Sequence, residues 1–194
     1  IWLDDDTFIT DEYIENLKKA CKINSEKKVF MPIIYDNNKK IISPSICTKI
    51  KNFKLKDESE LKKINIKNIL AINTCLAVKI SVYSNYRYNE KQFLDLIDNS
   101  FFYYLRKEKI EYCILPNKII QNFFSSEKIN YEKKLKRVLI EIHDYKEYIK
   151  DKTLIEKFMC FFRTIFWGLR GSIQYKNTNF IFKVLKQFLN KGEI

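Results

Sequence analysis

The chain opens IWLDDDTFITDEYIENLKKACK, residues 1–22, and this stretch implies an α/β arrangement. Ile1-Trp2-Leu3 is apolar and stops abruptly at Asp4-Asp5-Asp6, as a short strand ending in acids does. A helix is predicted next. Thr10 suits the N-cap, Asp11 and Glu12 suit the positive first turn, and Lys18, Lys19 and Lys22 suit the negative end. Ile14, Leu17 and Cys21 mark its apolar face. Val29 to Tyr35 reads as a strand closed by the turn-forming Asp36-Asn37-Asn38. Residues 49–68 are Lys-rich and poorly periodic, which predicts a surface excursion. Ile69 to Ile80 is apolar, with a polar break at Asn73-Thr74. Residues 91–109 have helical spacing, and Glu111 to Leu115 reads as a strand ended by Pro116-Asn117, with Lys118 to Phe123 as a further candidate. From about Tyr131 the period is helical to the end. The expectation is an α/β portion over 1–125 and an amphipathic helical tail over 126–194.

Composition narrows the chemistry. The 194 residues include 3 glycines, where average usage of about 7% would supply roughly a dozen. All three, Gly168, Gly171 and Gly192, lie in the tail, so the α/β portion has no glycine-rich phosphate cradle of either the P-loop or the G-x-G-x-x-G kind. Any diphosphate bound there must be held by other means. Five cysteines at 21, 47, 75, 113 and 160 form no C-x-x-C and read as free thiols of a reducing compartment. The single histidine, His143, excludes a multi-histidine zinc site. The chain begins at Ile1, in mid-strand, and reads as a piece of a longer protein.

Three constellations could carry chemistry. Asp4 and Asp6 are one residue apart beyond the end of a strand, where open α/β sheets place their ligands. Mg²⁺ or Mn²⁺ takes oxygen ligands and is commonly held by one or two carboxylates plus substrate phosphates; the plainer reading is an acidic turn feeding a helix N-terminus. Asp95 and Asp98 are three apart and would share a face if both were helical. A carboxylate at a helix start can act as a general base or simply cap the helix. Asn73-Thr74-Cys75 either hydrogen-bonds a sugar or turns the chain between two elements.

In this order the pieces resemble the C-terminal half of a family 2 glycosyltransferase, especially its bacterial rhamnosyltransferase-like branch. That branch has a strand ending Leu-Asp-x-Asp-Ser, matched by Leu3-Asp4-Asp5-Asp6-Thr7. It continues with Ile-Asn-Ser-Gly, matched by Ile72-Asn73-Thr74-Cys75, then Phe-x-Asp-Tyr-x-Asp-x-x-Phe, matched by Phe93 to Phe101. Arg106-Lys107 and Leu115-Pro116 follow as in the family. The resemblance covers about residues 1–125 and implies a GT-A fold, with an inverting, metal-dependent transfer from a nucleotide-diphosphate sugar. It implies Asp4 and Asp6 as ligands of Mg²⁺ or Mn²⁺, Asp98 as the catalytic base, and Asp5, Asn73, Thr74 and Asp95 as substrate-binding residues. The family's glycine is Cys75 here, an acid that often follows the base is Ser100, and a histidine that often follows the proline is replaced by Gln121-Asn122. The family's nucleotide-holding first strands would precede Ile1.

The tail holds 15 Lys and Arg against 8 Asp and Glu, and the rest of the chain 21 against 16. Ile155, Phe158, Met159, Phe162, Ile165, Phe166 and Leu169 recur at helical spacing, mixed with Lys157, Arg163 and Arg170. The simplest packing turns this stripe toward the core and the bases to solvent. The functional alternative lays it on anionic headgroups, at about 1 kcal/mol per basic residue. The apolar run 158–169 contains Arg163 and is short of the roughly 20 residues a spanning helix needs. The resemblance, taken with this tail, implies a transferase at the cytoplasmic face of a membrane, acting on a polysaccharide or lipid-linked acceptor. The alternative is a non-catalytic basic helical module on a membrane surface or nucleic acid; with no recognition motif present, nucleic acid is the less favoured partner.

Overall fold

A computed structural model describes residues 1–4, 7–48, 52–121 and 130–190, and shows a mixed α/β chain. It divides into two compact units, Ile1–Tyr88 with Asp98–Ser125, and Asn89–Ile97 with Ser126–Ile194. The segment Asn89–Ile97, placed by sequence with the α/β portion, thus groups with the tail.

In the first unit, α1 (Asp11–Ile23) starts where Thr10 caps it, with the Tyr13 N–H donating to Thr10 Oγ1 at 3.3 Å. The central strand is β1 (Val29–Tyr35), and it is buried on both faces. Phe30 and Ile34 pack with Tyr13 and Leu17 of α1. Val29, Met31 and Ile33 pack on the opposite side with Phe101, Phe102 and Leu105 of α2 (Ile97–Lys107). A strand with period-two side chains and two covered faces must be apolar throughout, which explains the unbroken run VFMPIIY. Along one edge β1 pairs in parallel with β7 (Tyr112–Ile120). Its end pairs antiparallel with β2 (Ile41–Ser43) and its start with β6 (Ala77–Val78). A small second sheet orders β4 (Asn52–Lys54), β3 (Ser45–Cys47) and β5 (Ile69–Leu70). The chain start contributes one antiparallel bridge, Trp2 to Leu76.

Three local expectations are corrected here. Pro116 does not end a strand, because β7 runs through it: Met31 pairs with Ile114 and Ile33 with Lys118, so a bulge in β7 faces Pro32. Two prolines, neither with an N–H to give, meet where the ladder is interrupted anyway. Asp95 and Asp98 do not share a helical face, because α2 begins at Ile97 and Leu96 has φ of 62°. The stretch 49–68 is not wholly superficial, since Leu55 and Ile64 are buried in the core beneath it.

The second unit is built on α3 (Tyr131–Ile149), α4 (Leu154–Tyr175) and α5 (Asn179–Leu189). Leu135, Val138 and Ile142 of α3 meet Phe180 and Val184 of α5 in one core. On α4, capped by Thr153 and Glu156 in a reciprocal capping box, the packing reverses the simplest reading of the sequence. Its buried residues are the small ones, Cys160, Thr164, Gly168 and Gly171, while Phe158 (64%), Phe162 (53%), Phe166 (60%) and Ile173 (78%) stand exposed. Close approach of α5 is the cause. A Cβ at Gly168 would lie 2.9 Å from Ile181, and one at Gly171 would lie 2.3 Å from the Phe180 ring. Large residues have no room where α5 comes this close; Trp167 finds space against Tyr145 of α3, and the row of Phe158, Phe162, Phe166 and Ile173 faces outward.

Gly171→Ala is therefore expected to destabilise the protein by about 1–3 kcal/mol through overpacking. Phe166→Ala, on the exposed face, should change stability by no more than about 0.5 kcal/mol. Thermal denaturation of the two variants, followed by circular dichroism, checks the contrast.

Candidate functional site

The first unit brings four of the expected site residues together. Asp4 leaves the bridged chain start, and Asn73 and Thr74 form the turn between β5 and β6. Asp98 lies in the first turn of α2. Thr74 Oγ1 donates a short hydrogen bond to Asp4 Oδ2, and the same oxygen accepts from Gln121 Nε2 at 2.7 Å. The neighbouring Asn73 N–H donates to the Asp98 carboxylate. One dipeptide thus holds both acids, the first residue by its backbone and the second by its hydroxyl. Asp5 and Asp6 lie outside the described residues.

The turn has an unusual backbone. Cys75, at the place of the family's glycine, has φ of 57°, in the left-handed region that a residue with a Cβ enters at a cost of about 1–2 kcal/mol. The residue is fully buried beside α1, and its carbonyl accepts the Tyr13 hydroxyl at 2.6 Å. Burial and the Asp4 charge raise its thiol to about 11, which makes it an inert packing group.

Asp98 is half-buried next to an aromatic cluster. Tyr86 lies 5.1 Å from Phe101 and 5.2 Å from Tyr88 between ring centroids, and Trp2 lies 5.6 Å from Tyr88. Burial raises the Asp98 carboxyl to about 7; the Asp4 charge adds to this and the Asn73 N–H opposes it. A carboxyl group tuned to that range can take a proton near neutral pH. Three further buried atoms, Thr7 Oγ1, Asn73 Oδ1 and Gln121 Oε1, have no hydrogen-bond partner among the described residues. Buried polar atoms are rarely left unpaired, so such a group fits a place where a polar ligand or ordered water completes the bonding.

Asp95 belongs to the second unit and is engaged there. Arg137 of α3 grips its carboxylate with both guanidinium arms, Nη2 to Oδ1 at 2.7 Å and Nη1 to Oδ2 in a shorter contact. Beside this pair lies a residue that sequence reasoning missed. Asp144 is fully buried and accepts the backbone N–H groups of Phe93, Leu94 and Asp95 at 2.8, 2.7 and 2.6 Å, with His143 Nδ1 at 3.2 Å. Burial disfavours its charge, but the three N–H donors and the imidazole prevail and hold its carboxyl below the usual range. Asp144 thereby pins the segment that leads into α2. Nothing local marks it in the sequence, since its partners lie 49–51 residues away. Gln121 was visible only as the residue replacing the family's histidine; the structure places its amide on Asp4.

Among the described residues, no group of three or more His, Cys, Asp or Glu side chains is arranged to hold a metal ion. No described helix is long and apolar enough to cross a membrane. The five cysteines are all free. Comparison with family models, curated proteins and solved structures finds no match to this chain.

The raised Asp98 carboxyl makes a stability prediction. Its folded pKa, about 7, exceeds its ordinary value of 3.8, so between those limits the folded state binds the extra proton. Stability should fall as pH rises through that window, with a slope of up to about 1.4 kcal/mol per pH unit from this group. Asp98→Asn removes the titration and keeps an oxygen for the Asn73 N–H. The variant should be more stable than the parent at pH 8, with the difference closing toward pH 4. Chemical denaturation across that range measures it, and parallel profiles would refute the assignment.

Proposed function

We propose that this chain is the acceptor- and metal-side portion of an inverting glycosyltransferase of the GT-A type. It moves a sugar, rhamnose being one such sugar, from a nucleotide-diphosphate donor to a hydroxyl of a polysaccharide or lipid-linked acceptor. The observation that carries this reading is the Asn73-Thr74 turn, which holds Asp98 through the Asn73 N–H and Asp4 through the Thr74 hydroxyl. Two carboxylates with different environments, one buried and raised, one hydrogen-bonded by neutral donors, support two different roles.

In this reading an acceptor hydroxyl hydrogen-bonds to ionised Asp98. As its oxygen attacks the anomeric carbon, Asp98 takes the proton. The bond from that carbon to the diphosphate oxygen breaks on the opposite face, and the nucleoside diphosphate leaves with the electron pair. The glycosidic bond formed has inverted configuration. Asn73, through its N–H, orients the base, and the Tyr86 and Tyr88 rings limit its access to water. The Asp4 carboxylate and the unpartnered Gln121 Oε1 are oxygen donors of the kind a hard cation such as Mg²⁺ or Mn²⁺ takes, while the Gln121 amide nitrogen already bonds Asp4 Oδ2. Asp4, with Asp6 two residues on in the sequence, would hold it, and when bound it supplies positive charge against the departing diphosphate.

The test, made on the protein with the nucleotide-holding segment that this reading places before Ile1, is release of nucleoside diphosphate from UDP-, GDP- and dTDP-linked sugars in the presence of Mn²⁺ and a glycan acceptor. Activity should rise with pH through about 7, because Asp98 works as its ionised form. Asp98→Asn should lower kcat by roughly 10²–10⁴-fold while donor binding persists, and EDTA should stop turnover. Full turnover by Asp98→Asn would remove Asp98 from the mechanism.

A further inference from the structure

The exposed row on α4 is too large and too regular to be incidental. Ile155, Phe158, Phe162, Phe166, Leu169 and Ile173 follow one another at three and four residues, so they form a single stripe along a 22-residue helix about 33 Å long. The face opposite is filled by Cys160, Thr164, Gly168 and Gly171 against α5, so rotating the helix to bury the row would drive bulky side chains into Phe180 and Ile181. The row is therefore outside by construction. Monomeric proteins rarely expose contiguous apolar surface on this scale without a partner.

The charge nearby identifies that partner. Residues 154–189 contain six Lys and Arg and one acid, Glu156. Arg170 is exposed beside the row, and Lys176 is exposed at the C-terminal end of the same helix. A second copy of the chain would bring the same positive face with almost no acid to meet it, and like charges would oppose the contact. An anionic lipid surface supplies both things the region lacks, negative charge at the headgroups and an apolar boundary below them. The helix contains Glu156, Lys157, Arg163 and Arg170 and is not a spanning segment, which leaves it lying in the interface plane.

We infer that the outward face of α4, with Arg170 beside it and Lys176 at its end, is a docking surface for an anionic membrane. This does not rest on the glycosyltransferase reading. The test is flotation of the full chain with vesicles of phosphatidylcholine alone and of phosphatidylcholine with phosphatidylglycerol. Binding should require the anionic lipid and weaken with added salt. Phe162→Ser and Phe166→Ser should each weaken it by about tenfold, and Arg170→Gln by about fivefold. Thermal denaturation should be nearly unchanged in all three, because the altered side chains are exposed. Asp98→Asn should float like the parent, which separates this surface from the catalytic proposal. Equal binding to both vesicle types, or none to either, would overturn the inference. So would light scattering that finds a dimer which Phe162→Ser and Phe166→Ser convert to monomer, because the row would then belong to a second copy.

Discussion

The parallel pairing of β1 with β7 is the constraint on which the first unit depends. β1 is covered on both faces, so α1 must lie on one side and α2 on the other, and β7 extends the platform beneath α1. The end of β7 then delivers Gln121 to Asp4, while α2, seated by Phe101, Phe102 and Leu105, delivers Asp98. Antiparallel pairing of β1 with β6 fixes the Asn73-Thr74 turn that leads into β6, so that it bonds both Asp4 and Asp98. Gln121, Asp98 and the Asn73-Thr74 turn thus reach Asp4, four separate stretches of sequence in one polar cluster, because one strand has two buried faces. The interruption opposite Pro32 lets β7 shift register without losing the pair, and Gln121 N–H still reaches the Tyr35 carbonyl at 3.0 Å.

Among the described residues, five without a glycine's freedom have positive φ: Lys39, Lys109 and Lys176 at turns or helix ends, and Cys75 and Leu96 next to candidate carboxylates. Cys75 at φ 57° follows the turn that holds both acids, and Leu96 at φ 62° lies between Asp95 and the start of α2. A bulky residue in that region is an outlier that its surroundings must enforce. At Cys75 the enforcement is visible in a buried side chain and a carbonyl held by Tyr13. At Leu96 it is the grip of Asp144 on Phe93, Leu94 and Asp95, together with packing of Leu96 against Tyr145, Ile149 and Cys160.

Features decided by neighbours in sequence were legible in the sequence. Thr10 announces α1, the run from Val29 to Tyr35 announces β1, and the repeat of Leu135, Val138 and Ile142 announces the buried face of α3. Features decided by distant partners were not. Pro116 looks like a stop until Pro32 is known to stand opposite. The pairing of Asp95 with Arg137, 42 residues away, has no mark in the sequence either. On α4 the period is correct but its direction is not, because periodicity reports that a helix has two faces and says nothing of which one is inside. A cue was present: Cys160, Thr164, Gly168 and Gly171 form a row of small residues opposite the aromatics, and small residues permit close helix approach. At the candidate site, residue types and spacing pointed to Asp4, Asn73, Thr74 and Asp98. Their mutual hydrogen bonding, and the part taken by Gln121, required the fold.

The inverted packing of α4 has a colloidal consequence. Ordinarily folding removes apolar surface from solvent, so aggregation risk is greatest in the nascent chain and ends when the core closes. Here the aromatic row keeps about half or more of its surface in solvent in the finished protein, and folding gives it only partial protection. What separates one molecule from the next is the net charge of +12. That repulsion is long-ranged only while the Debye length is long, about 30 Å at 0.01 M salt and about 8 Å at physiological ionic strength. In the absence of a covering surface, this protein's dispersal in water is therefore an ionic-strength-dependent property, with salt acting first on the charge and only then exposing one hydrophobic face to another.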